Sequence, residues 1–324
     1  MRASESVESD DAAVRAVDAA TVDAHWIDRF RDSVHRLSWR TARTIDGWAG
    51  EPYPQDVYEE ASGRLAVGLL WDEWDGWEPK VRFRVDLPTP QVNERVNLFI
   101  GRFDRDDFVT DRREGDDVFP FRRAGGQEDE TLAGFLYRRP GSGGGDFSAS
   151  AGLRFKSGNL DPYVKASYQH RWKLNESAAF TVRETVFYQA SEKFGLTSRA
   201  EYEQIWSDRF MVRWGGTVVV SEAHDGVRFN SQLTAIRALG RMRSITVQFE
   251  IEGDTDLEVP VQEFGVKCVY RKSVFRPWLA LEILAGLSWP REYAYQARKP
   301  SWGLGIAWEM TFGSERLAAE PVTL

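Results

Sequence analysis

The chain has 324 residues, with 42 Lys and Arg against 50 Asp and Glu and a formal net charge of −8, a balance that excludes general nucleic-acid binding. One cysteine, Cys268, excludes an internal disulfide framework and a cysteine-based zinc site. No run of 18 apolar residues occurs, so no transmembrane helix is expected, whereas 13 Trp, 10 Tyr and 19 Phe are the aromatics that interfacial girdles need.

Residues 1–20 are rich in Ala, Asp, Glu and Ser and are expected to lack structure. They hold no apolar central region of an export signal, so a leader is expected to be missing from the chain as given. Residues 21–63 read as an amphipathic helix and linker on the periplasmic side. Trp26, Phe30, Val34, Leu37, Thr41, Ile45 and Trp48 recur at three and four residues, the helical period, and Gly47 and Gly50-Glu51-Pro52 end the run. The helix is expected to pack on the rest of the chain. The alternatives are a membrane surface or a periplasmic protein partner docking through residues 22–48. His25 and His35 lie ten apart there and make no metal pair.

From Arg64 the period changes to two, the signature of strands. Alternating segments run near 64–74, 79–88, 94–104, 131–139, 146–157, 162–174, 178–190, 196–207, 209–222, 226–238, 243–252, 261–272, 277–289 and 301–313. That is fourteen, or twelve if the two weakest, 94–104 and 131–139, fail; bacterial barrels have even numbers. Alternate connections differ in length. One set holds the longest three, Asp104–Glu130, Gly253–Pro260 and Pro290–Pro300. The other holds tight turns such as Pro88–Gln91, Asn175–Ser177 and Ser207-Asp208. Long loops on one side and short turns on the other is the asymmetry of an outer-membrane barrel, here over 64–313 with a tail at 314–324.

The last segment shows the two faces. Trp302, Leu304, Ile306, Trp308, Met310 and Phe312 share one, while Gly303, Gly305, Ala307, Glu309 and Thr311 share the other. An apolar face with aromatic ends fits lipid, with Trp71, Trp214, Trp278, Trp289, Trp302, Trp308 and Phe312 at the membrane interfaces. Cys268 falls on this face as an inert small hydrophobe. The opposite face gathers Arg82, Arg84, Arg154, Lys165, Arg171, Arg199, Glu201, Arg213, Arg228, Glu250, Lys267, Arg271, Glu282 and Glu309. Charges in such number need water or mutual pairing, which a lumen offers. With Asp86, Lys156 and Glu203 on the same face, basic residues outnumber acidic ones there about two to one.

With these segments and the closing strand Trp302–Phe312, residues 64–313 resemble bacterial outer-membrane β-barrel proteins, and the whole resembles uncharacterised proteobacterial barrels with a helical N-terminal segment. Such barrels usually end at the aromatic of the last strand, whereas here Gly313–Leu324 follows Phe312. The resemblance implies an all-β, antiparallel up-and-down transmembrane barrel of 12–14 strands in the bacterial outer membrane, in contact with its lipid.

Signals for chemistry are weak. His170 lies on the lipid-side face with Ser198 and Ser231 as conceivable partners, but Phe229–Gln232 lacks the histidine of outer-membrane phospholipases. His224 reads as solvated in a turn. Asp104–Asp107 and Asp111–Asp117 lack the spacing and closing Glu of a calcium loop, and their arginines repel a cation. Gly143–Gly145 is a turn, since no helix follows to hold a phosphate. The expectation is a non-enzymatic, porin-like channel for small, anionic solutes, without metal or cofactor. A closed structural or assembly barrel in an envelope complex is the alternative, and an acyl hydrolase the second alternative.

Overall fold

The computed structural model describes residues 5–48, 50–51, 53–73, 76–103, 109–110, 130–156, 159–240 and 242–313, with side chains from Trp26 onward. The acidic segments Asp104–Asp107 and Asp111–Asp117, and the tail 314–324, lie outside these residues. A long helix α1 (Glu5–Asp46) and a short one, α2 (Gln55–Tyr58), precede fourteen strands. These are β1 (Ser62–Asp72), β2 (Gly76–Pro88), β3 (Val96–Phe103), β4 (Glu130–Pro140) and β5 (Gly145–Lys156). Then come β6 (Asn159–Lys173), β7 (Ala178–Gln189), β8 (Lys193–Ser207), β9 (Phe210–Ser221) and β10 (His224–Gly240). The last are β11 (Arg243–Asp254), β12 (Val261–Ser273), β13 (Leu279–Ser288) and β14 (Ser301–Phe312).

Each strand pairs antiparallel with its sequence neighbours, and β1 pairs with β14 from Gly63 opposite Phe312 to Asp72 opposite Gly303, so the sheet is a closed barrel. Closure satisfies every edge, the condition for crossing hydrocarbon with strands. The two weakest segments, β3 and β4, both form and pair over Val96–Phe103 and Glu130–Tyr137.

Two features depart from the sequence reading. The helix begins at Glu5, inside the segment expected to lack structure; alanines at 12, 13, 16, 19 and 20 carry high helix propensity, which outweighs the polar composition. The β2–β3 connection is also longer than the Pro88–Gln91 turn, because β3 starts only at Val96. Its extra length is used: Gln91 N–H donates to Asp46 Oδ1 at 3.0 Å, fixing the helix to this rim. This end, which carries Ser62 and Phe312, is called the terminal rim below.

The outer wall is apolar. Val67, Leu69, Phe135, Leu153, Val164, Val186, Leu196, Val218, Leu233, Phe249, Ile283, Leu304 and Ile306 are all exposed, far more apolar surface than a protein can leave in water. A closed barrel with this belt is a membrane-spanning barrel of the outer-membrane type. Glu184 is an outward exception, its carboxylate accepting from Ser198 Oγ at 2.6 Å.

Candidate functional site: the barrel interior and its rim

Strand alternation decides which side chains face inward, and inside the barrel those side chains meet across the wall. Arg154, on β5, pairs with Glu130 at 2.9 Å and with Asp161 at 2.6 Å, all three buried. Asp161 accepts further bonds from Gln189 and from Ser191 Oγ, both at 2.7 Å. Arg228 meets Glu192 at 2.8 Å, Arg199 pairs with Glu201, and Arg84 with Asp86 at 2.9 Å. Asn230 and Gln248 donate to the two oxygens of Glu250. Glu203 holds two guanidinium groups, Arg171 at 2.5 Å and Arg213 at 2.8 Å. Arg271 bridges Glu282 and Glu309, and Arg64 stands 3.7 Å from Glu309. Arg82 and Lys267 are buried among these groups, and Lys165 lies opposite Ser150.

This arrangement corrects the charge balance. Asp72, Glu130, Asp161, Glu252, Asp254 and Glu263 are inward, buried acidic positions absent from the sequence list, so the basic excess is lost. Glu130, Asp161 and Asp254 lie at strand ends, just beyond where the alternation is legible. All six lie towards the rim opposite the termini. Arg64, Arg84, Arg138, Arg171, Arg213 and Arg271 lie towards the terminal rim. These missed acids gather at the far rim, while ion pairs of both signs occur at each end, Arg154 and Arg228 at the far rim and Glu203, Glu282 and Glu309 towards the terminal rim.

The interior is not polar throughout. Phe99, Leu132, Leu136, Tyr163, Phe187 and Val219 form a buried cluster inside the wall, joined by Val109 from the β3–β4 connection. Thr197 Oγ1 donates to the carbonyl of Thr110, tying that connection to the inner wall. Tyr163 and Phe187 find room because two glycines face them. An added Cβ would come within 3.0 Å of Tyr163 Oη at Gly152 and 2.2 Å of the Phe187 ring at Gly195. Aromatic rings covering strand glycines also help fix the register. Ala66, Leu70, Leu284 and Ala307 form a second buried patch across β1, β13 and β14.

On the outer wall the interfacial aromatics divide. Trp214, Trp302 and Trp308 are exposed, and Trp71 partly so. Trp289 stacks on Phe264 at 5.3 Å. Phe312 is the correction: it is buried under α1, with Met310 and Leu279, by Ile27 and Val34. Trp278 also packs there, with the Arg31 guanidinium 5.2 Å from its ring. The helix therefore lies against the outside of the barrel at the terminal rim. A second contact joins Ala42, Trp39 and Ile45 to Tyr58, Leu87 and Leu98. Polar bonds complete the docking: Arg276 holds Asp28 through Nη2 at 2.7 Å, and Tyr58 Oη donates to Asp46 at 2.6 Å. His35 Nε2 lies 3.0 Å from the Glu59 carbonyl.

The hydrolase alternative is not assembled. His170 sits against Trp172 with ring centroids 4.4 Å apart, Ser198 bonds Glu184, and Ser231 accepts from Trp214 Nε1 at 3.2 Å. His224, expected to be solvated, stands 2.7 Å from Asp254.

No protein-family model matches the chain, and no curated protein matches it. Among solved structures the fold is similar to a KdgM porin in complex with disordered oligogalacturonate (6% identity, TM-score 0.38), covering 77% of this chain and 99% of that one. It is also similar to an anion-selective porin from Comamonas acidovorans (8%, TM-score 0.43; 78% and 98% covered). A third is a loop-deleted OmpT, an outer membrane protein of Vibrio cholerae (11%, TM-score 0.41; 78% and 98% covered). All three resemblances are of fold alone.

Proposed function

We propose that the barrel is a passive outer-membrane channel for small solutes, with a preference for anions. The supporting observation is which partner water reaches in the Arg171, Arg213 and Arg271 pairs towards the terminal rim. In the Arg171–Glu203 pair the side chains are 51% and 15% exposed, and in the Arg271–Glu309 pair 41% and 2%. A carboxylate buried behind its guanidinium contributes to folding, while the guanidinium contributes to the surface a solute meets. A low-dielectric wall focuses that field along the lumen. The terminal half is thus a basic vestibule despite the overall balance of charge.

A closed, structural barrel is the second reading, favoured by the packed cluster around Phe99, Tyr163 and Phe187. Planar-bilayer recordings separate the two. The channel reading expects conductance with an anion-selective reversal potential, reduced in Arg171→Gln/Arg213→Gln. Silence of the wild-type protein would overturn it in favour of the closed barrel.

A further inference from the structure

The docked helix presents three faces, and only one is occupied by the barrel. Ile27, Val34, Ala42 and Ile45 point to the wall. At 100° per residue, Trp26, Phe30 and Leu37 fall together on a second stripe, and Trp48 follows just past the helix end; all four are exposed, Leu37 at 68% and Trp48 at 80%. Arg36, Arg40 and Arg43 form a third, exposed stripe beside it.

The covered barrel residues say what meets the second stripe. Met310 and Phe312 are buried by the helix, whereas Trp308, Ile306 and Leu304 on the same face of β14 are exposed members of the apolar belt. The same change occurs on β2, where Leu87 is buried beneath the helix and Val81 is exposed. The helix thus occupies the last rows of the lipid-facing wall, and its outward apolar stripe continues a surface already in contact with lipid. A Trp/Phe/Leu stripe flanked by arginines is the composition of a helix lying in a membrane interface. The arginines suit anionic headgroups, each near-surface charge contributing attraction.

The geometry points to residues 26–48 as an in-plane anchor, inserting Trp26, Phe30, Leu37 and Trp48 into the phospholipid leaflet at the terminal rim and placing Arg36, Arg40 and Arg43 among anionic headgroups. This rests on the barrel crossing a membrane and not on its being a channel.

The test uses the full chain carrying Cys268→Ala and single cysteines bearing a nitroxide, reconstituted in vesicles of phosphatidylcholine with or without phosphatidylglycerol. Collision with oxygen reports lipid, and collision with a water-soluble nickel chelate reports water. A label at Leu304 is the control: water exposure there would overturn barrel insertion itself. With that control in lipid, the oxygen-to-nickel ratio at Leu37 should exceed that at Arg36 several-fold. Phosphatidylglycerol should raise the ratio at Leu37, and Arg36→Gln/Arg40→Gln/Arg43→Gln should remove that increase. A water-exposed label at Leu37 would overturn the anchor and leave the stripe for a protein partner. Spin–spin broadening at Leu37 that vanishes on dilution with unlabelled protein would overturn it in favour of a second copy. Equal ratios in both vesicle types would overturn the headgroup assignment.

Discussion

Tyr58 ties α2 and its preceding loop to the end of α1 through one hydroxyl group. Its ring is fully buried, its Oη donates to Asp46 and accepts from the Tyr53 N–H at 3.0 Å. Burial and then the bond to Asp46 raise its pKa above the ordinary 10.0, against smaller opposing effects of the Tyr53 N–H bond and then Arg43. A raised value favours the neutral phenol in the docked state. Its contribution is therefore complete below pH 10.0 and lost as pH rises through the raised value. Protease sensitivity of α1 should increase over that alkaline range, and Tyr58→Phe should abolish the step; an unchanged step in that variant would reject the assignment. At this scale the sequence was partly informative. The alternating arginines were legible, because period two fixes a face. Their partners were not, because Arg154 meets Glu130 and Asp161 through strand pairing that no local pattern encodes.

Single strands show how strictly the wall divides two solvents. In β14, Leu304 is exposed on the outer wall, while an added Cβ at Gly303, on the inner face, would approach only the Trp71 carbonyl at 3.8 Å. Leu304→Arg should cost about 2–4 kcal/mol near the bilayer midplane, and Gly303→Ser should be close to neutral, measured by denaturant unfolding in lipid vesicles. Equal losses would mean that the faces are misassigned. All fourteen strands were legible, with ends shifted by a few residues, since bulges and rims obey no alternation. The position of α1 was not. Its three-and-four spacing marks apolar residues, but both the barrel stripe and the outward stripe contribute to one pattern. Only the structure separates Val34, which packs on the wall, from Leu37, which does not.

For the molecule as a whole, the asymmetry of the rims makes sidedness testable. Tyr295, in the β13–β14 connection, is highly exposed and stacked on Tyr293 at 5.3 Å. Nearby Arg298 donates to the Trp289 carbonyl at 2.6 Å and has its pKa lowered by burial and then by Arg291. The connection is therefore an ordered cap. In a Cys268→Ala background, Tyr295→Cys should react with an impermeant maleimide on intact cells, since long connections face outward; labelling only after lysis would reverse the orientation. One contact of α1 also bears on how the cylinder stays shut. Ile27 and Val34 pack against the cluster of Met310 and Phe312 of β14, and Leu65 of β1 and Val85 of β2 pack against the same cluster, so the helix shares one apolar contact with both sides of the seam where the first strand meets the last. Those contacts exist only when the seam is zipped, and anything that binds one state alone stabilises it. Tethering by the chain raises the effective concentration of the helix at this site. The helix is then a latch, and a chain with Ile27→Asp/Val34→Asp should lose its compact, fast-migrating form on unheated SDS gels at a lower temperature than the wild type.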